Sequence, residues 1–148
     1  MGKRTYPLYH GDKRMPWPKG TVVKDFKGLV FLSGTEGRDE KTDEVVAGIE
    51  AQTRLCVEKI KSRLEEMGSS LENIVKITYY VVGPFDGDIA NSPLWVKART
   101  VRDQFFKEHC PDLCSDKNPV ASTLIGVERL DKKEMLIEVD VIAVLLDR

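Results

Sequence analysis

The chain has 148 residues, 41% of them hydrophobic and 32% charged, and 23 basic against 24 acidic residues give a formal net charge of −1. That length can bury one sizeable core, so a single globular domain over 1–148 is expected. Basic residues are mixed with acidic ones and form no face-sized run, which speaks against nucleic-acid binding, and the longest apolar run, Val141 to Leu146, is far too short to cross a bilayer.

The opening MGKRTYPLYHGDKRMPWPKG has no apolar signal-peptide region, and Tyr6 stands where a myristoylation motif needs Ser or Thr. Three cysteines, an odd number without framework spacing, point to free thiols in a reducing, cytoplasmic setting. Met1 to Lys19, rich in Pro, Gly, Lys and Arg, reads as an irregular arm with a short strand near Thr5 to Leu8. Thr21 to Phe26 and Leu29 to Ser33 read as a hairpin turning at Lys27-Gly28, and the polar Gly34 to Asp43 as an exposed loop.

The clearest helix spans Ile49 to Met67, with Ile49, Cys56, Ile60, Leu64 and Met67 on one stripe and Gly68 placed to end it. After a turn, Ile74 to Val82 is a strand with Val75, Ile77, Tyr79 and Val81 on one face. Ser92-Pro93 is an N-cap followed by a first-turn proline and opens a helix to about Glu108. Leu94, Ala98, Val101 and Phe105 form its buried stripe, and Lys97, Arg99, Arg102 and Asp103 lie off it. Cys110 to Asn118 is a loop. Ala121 to Val127 and Met135 to Leu146 read as a second hairpin around a charged turn.

The order β-β-α-β-α-β-β gives an α+β class: one mixed β-sheet with two helices packed on one face. The other sheet face also carries apolar side chains. Either copies associate through it or the helices divide between the faces.

Glu138 and Asp140 sit two apart in the last strand and share a face. They either lie on a solvated face opposite Lys or Arg, or Glu138 lines a cleft and handles a water or a proton, with Asp140 structural. The competing sites are weaker. His109 and Cys110 are adjacent, and helix neighbours do not face each other. His109, Cys110 and Cys114 offer three zinc ligands on thin spacing, so no metal is expected. Cys56 on the apolar stripe reads as a core thiol, and Gly34-x-x-Gly37 lacks the Lys and Ser/Thr of a phosphate-binding loop.

Several stretches resemble the Rid (YjgF-like) family in the right order. They are GLVFLSG (Gly28 to Gly34), AQT (Ala51 to Thr53), SLENIVKITYYVV (Ser70 to Val82), and ASTLIGVERL followed by LIEVDVIAV. The resemblance covers Thr21 to Val144 and implies a chorismate-mutase-like fold. It also implies a homotrimer with an inner barrel of sheets and small-molecule clefts between subunits, with no cofactor or membrane. Family members that deaminate enamines and imines grip the substrate carboxylate through an arginine in P-A-R-[ST]. Here the matching place is Ser122, followed by Thr123, and the family's tyrosine falls at about Gly20. Ser33, Gly34, Asn91 and Glu138 do match. A bidentate cation has become a neutral hydroxyl.

The resemblance therefore leaves two functions open. One is hydrolytic deamination of a small enamine or imine, with Glu138 as the catalytic group and Ser122, Thr123, Ser33, Gly34 and Asn91 binding substrate. The other is a trimer that binds a metabolite or partner without turnover. RNA cleavage would rest on the family's history alone, against a balanced charge and only two histidines.

Overall fold

The computed structural model describes residues 3–6, 9–10, 13–14, 18–115 and 117–147, with side chains from Pro18 onward. Among them nine strands and two α-helices run in the order β1 (Lys3–Tyr6), β2 (Tyr9–His10), β3 (Lys13–Arg14), β4 (Gly20–Val23), β5 (Gly28–Phe31), β6 (Thr35–Glu36), α1 (Ile49–Glu66), β7 (Ile74–Val82), α2 (Pro93–His109), β8 (Ala121–Val127) and β9 (Ile137–Leu145). The main sheet has the order β5-β9-β7-β8, with β6 continuing β5 alongside β9. β7 and β8 are parallel and the other pairs antiparallel, so the sheet is mixed.

This topology explains why both helices share a face. α1 carries the chain from β6 past β9 to β7, and α2 carries it from β7 to its parallel neighbour β8. Both crossovers step in the same direction, and right-handed connections then put both helices on one side. Burial agrees: Ile77, Tyr79 and Val81 on β7 and Ile137, Val139 and Val141 on β9 are buried, and the residues between them only half-buried.

The two expected hairpins are absent. β8 and β9 do not pair, because β7 lies between them. The connection from Glu128 to Leu136 is long enough to pass over the end of β7, where Val82 N–H donates to Leu136 O (3.0 Å) and Gly83 N–H to Val127 O (3.0 Å). Likewise β4 pairs with β1 and β5 with β9, so Lys27-Gly28 joins two sheets rather than two partners. Alternating hydrophobicity identifies strands but not neighbours. The N-terminal arm is also more regular than expected, with β1 on β4 and β2 on β3; Pro7 and Leu8 fall outside the described residues.

α1 ends as expected. Gly68 takes φ +82°, Ser69 N–H donates to Leu64 O and Gly68 N–H to Glu65 O, the paired bonds of a glycine-terminated helix. Met67 is exposed rather than on the stripe, and Gln52, Thr53 and Val57 join the buried set. Ser92 caps α2 through its hydroxyl, which accepts from Trp95 N–H. The buried residues of α2 are Trp95, Ala98, Phe105 and Phe106, with Leu94 and Val101 half-covered. On β7 a register shift between Ile74 and Lys76 buries Ile74 in place of Val75. Gly34 to Asp43 is not wholly exposed either, since Thr35, Glu36 and Gly37 are buried.

Candidate functional site

Glu138 sits in β9 opposite Glu36 on one side and Tyr80 on the other. Its neighbours Ile137 and Val139 point into the core, so its own side chain stands on the face away from the helices. Gly34 lies at the break between β5 and β6, and a Cβ there would come within 2.8 Å of the Glu138 carboxyl carbon and Oε1. Any larger residue at 34 would displace the carboxyl group. Ser33 beside it is exposed, and its carbonyl accepts from Thr35 Oγ1 at 3.2 Å.

The two glutamates of this pair differ in their partners. Glu36 is buried and lies within 3.5 Å of Lys59 Nζ and 3.2 Å of Arg38 Nε. Glu138 has no hydrogen bond or ion pair among the described residues. Partial burial raises its pKa above the ordinary glutamate value, and the charges of Glu36, Asp140 and Asp131 add to the shift. Asp140 instead accepts a hydrogen bond from Tyr80 Oη at 3.2 Å, so its partner is a phenol rather than the expected Lys or Arg.

Ser122 and Thr123 lie on the edge strand β8 and are exposed. Ser122 aligns with Ile77 and so faces the helix side, where it lines a cavity of about 630 Å³ under α2. Thr123 aligns with Thr78, faces the opposite way, and accepts from Lys76 Nζ at 2.5 Å. Because β7 separates β9 from β8, Glu138 and Ser122 stand two strands and three register positions apart, roughly 14 Å, and on opposite faces. Asn91 is exposed at the end of a 3₁₀ turn, Ile89–Asn91, which packs against Gly126 near the far end of β8. One chain thus brings Ser33, Gly34 and Glu138 together and holds Ser122, Thr123 and Asn91 elsewhere.

Near the site, Arg102 is not where its spacing from Leu94 and Val101 suggested. It was expected on the solvent side of α2, but its side chain is only 14% exposed. Its guanidinium lies 5.1 Å from the Tyr79 ring centre and 5.5 Å from that of Trp95, in the cavity that Ser122 lines. The signal was present: Trp95, Ala98, Arg102 and Phe105 recur at three, four and three residues, the spacing of a buried stripe with an arginine in it. Burial pushes the Tyr79 hydroxyl up to about 12, against the opposing pull of Arg102.

The other candidates are accounted for structurally. Cys56 is fully buried, its thiol pushed up to about 12 by burial, and its Sγ donates to Thr35 O at 3.4 Å. His109 stacks at 4.2 Å on Phe105. Among the described residues no group of three or more His, Cys, Asp or Glu side chains is placed to hold a metal ion.

Residues 16–145 match the family model described as Endoribonuclease L-PSP. A RutC family protein of Pyrococcus abyssi is 32% identical over 134 residues, covering 88% of this chain and 91% of the relative. TdcF of Escherichia coli, which bears a provisional name as a reactive intermediate deaminase, is 30% identical over 134 residues, covering 89% and 92%. The crystal structure of E. coli TdcF with bound serine superposes with a TM-score of 0.64 at 26% identity, covering 95% of this chain and 93% of that one. A Rid-family structure from Yersinia pestis, titled YyfB and of unknown function, gives a TM-score of 0.73 at 23% identity over 98% and 100% of the two chains, a likeness that speaks for the fold alone. No helix among the described residues is long and apolar enough to cross a membrane.

Proposed function

The chain belongs to the Rid family, and from that premise we propose that it hydrolyses a small enamine or imine metabolite, with Glu138 as its acid–base group. The observation that carries the reading is a carboxyl group with a raised pKa and no hydrogen bond or ion pair among the described residues, packed against a glycine where any side chain would displace it. An enamine that gains a proton on carbon and gives one up from nitrogen becomes an imine. Water adds to the imine carbon, its proton passes through Glu138 to the nitrogen, and ammonia leaves as the carbonyl forms. Water supplies the oxygen, and no oxidant is needed.

Ammonia release is the direct test, with 2-aminoacrylate generated in place and other imino acids alongside. Glu138→Gln should lower kcat by about 10²–10⁴-fold. The rate should rise with pH as Glu138 ionises, with a midpoint above the ordinary glutamate value. Flat traces from the wild-type protein across all substrates would end the hydrolase reading. Stability should move the other way. A carboxyl whose pKa is raised by folding favours the folded state when protonated, and that contribution is lost as pH rises through its folded pKa. Glu138→Gln should therefore melt about 1–3 °C above wild type at neutral pH, and the gain should vanish in acid.

The site is proposed to be completed between copies in a homotrimer. Phe31 is 66% exposed on the sheet face that the helices leave open, with Leu29 and Ile125 also exposed. An apolar face of this kind calls for a cover. Phe31→Glu should turn the assembly into monomers in analytical ultracentrifugation; an unchanged mass would remove this face from the interface. A second reading, binding without turnover, is favoured by Ser122 standing where the family's arginine would grip a carboxylate. It expects a ligand retained in the cleft and no ammonia.

A further inference from the structure

We propose that Glu36 and Glu138 form an unequal carboxyl pair, in which Lys59 and Arg38 hold Glu36 as a fixed charge and Glu138 is left to carry the proton. Glu36 is then a positioning residue for Glu138. The proposal rests on the reading of Glu138 as the acid–base group and adds what sets its state.

Glu36 on β6 and Glu138 on β9 are direct cross-strand partners. Thr35 and Val139 beside them are partners too, and both are buried on the helix side, where Thr35 Oγ1 accepts from Arg63 Nη1 of α1 at 2.9 Å. Glu36 and Glu138 therefore leave the sheet on the opposite face, with their Cβ atoms roughly 5 Å apart. Two charged carboxylates so placed repel, and a proton on one of them removes the repulsion.

The cations decide which member takes that proton. Glu36 is 6% exposed, and its Oε1 lies 3.2 Å from Arg38 Nε and 3.5 Å from Lys59 Nζ. Lys59 is itself only 10% exposed, and its Nζ donates to the carbonyls of Glu36 at 3.0 Å and Arg38 at 2.9 Å. Glu40 shares Lys59 at 3.7 Å, and the other end of Arg38 is tied to Asp43 Oδ1 at 3.0 Å. Both cations are thus committed to Glu36 and its loop. Around Glu138 stand Glu36 from β6, Tyr80 from β7, Asp140 from its own strand, Asp131 from the connection before it and the buried Cys56 thiol of α1. None of these is a cation. Burial raises the proton affinity of Glu138 most, and Glu36 comes next, ahead of Asp140 and Asp131.

Carbon-13 NMR of the full chain, labelled at the glutamate carboxyl carbons, reads the titration of Glu138 directly, its signal assigned by loss in Glu138→Gln. Glu36→Gln should move that titration down toward the ordinary glutamate value, and Asp140→Asn should move it less. Glu36→Asp keeps the charge and should retain most of the wild-type titration. Because Glu36→Gln leaves Lys59 buried without its carboxylate, a double variant, Glu36→Gln with Lys59→Gln, removes both charges together and should show the same downward shift in a folded protein. A Glu138 titration unmoved in both variants, or moved no further than by Asp140→Asn, would overturn the proposal. The measurement needs no substrate. Where ammonia is released, the acid limb of rate against pH should shift with the titration. Where none is released, a shifted titration upholds the pair while the hydrolase reading falls.

Discussion

Gln52→Ala is expected to lower the free energy of unfolding by about 3–5 kcal/mol. Gln52 is 1% exposed on the inner face of α1. Its Nε2 donates to Val46 O at 3.0 Å and to Glu134 O at 2.9 Å, and its Oε1 accepts from Leu136 N–H at 2.8 Å. One carboxamide therefore ties the approach to α1 to the connection between β8 and β9. The helix is pressed close at this point, since a Cβ on Gly37 would fall 2.5 Å from Gln52 Cα. Alanine leaves three backbone groups without their partner, and each costs about 1–3 kcal/mol where water does not replace it. Gln52→Glu should be no milder, because it removes both donors and adds a charge. Urea unfolding at fixed protein concentration would show the loss as a lower midpoint with an unchanged slope. A change below about 1 kcal/mol would mean that water takes over these bonds.

Gln52 also marks how far the sequence could be read. Its place in the Ala51 to Thr53 motif was recognisable, but apolar periodicity passes over a buried amide whose partners are carbonyls 82 and 6 residues away. Helix ends were legible because the signals are local: Ser92 and Pro93 open α2, and Gly68 closes α1. Strand identity was legible for the same reason. Strand pairing was not, because nothing within Ala121 to Val127 says that its neighbour is β7 rather than β9. At the site, Glu138 and Gly34 could be named from sequence, and their contact had to come from the fold. Arg102 was lost to a rule that puts arginine outside. Two aromatic rings and an aspartate make the inside tolerable for it.

Placing an arginine at Ser122, where the family resemblance puts the substrate clamp, should have the largest effect on function. Ser122 is exposed on an edge strand, so Ser122→Arg should cost the fold little. It would set a third guanidinium, beside those of Arg99 and Arg102, at the rim of the cavity that Ser122 lines. A bidentate, charge-assisted pair with a substrate carboxylate contributes about 1.5–3 kcal/mol. Expressed in the transition state, that is a rise of roughly 10–100-fold in kcat/KM for 2-aminoacrylate. Ser122→Lys offers a point charge without the fork and should recover much less. The gain should shrink as salt is raised, because the new charge sits near solvent. The arginine variant also separates the two readings of the family cleft. If Glu138 is the working acid–base group, the clamp raises turnover and Glu138→Gln in the same background removes it. If the chain only binds, Ser122→Arg tightens a carboxylate ligand and still releases no ammonia.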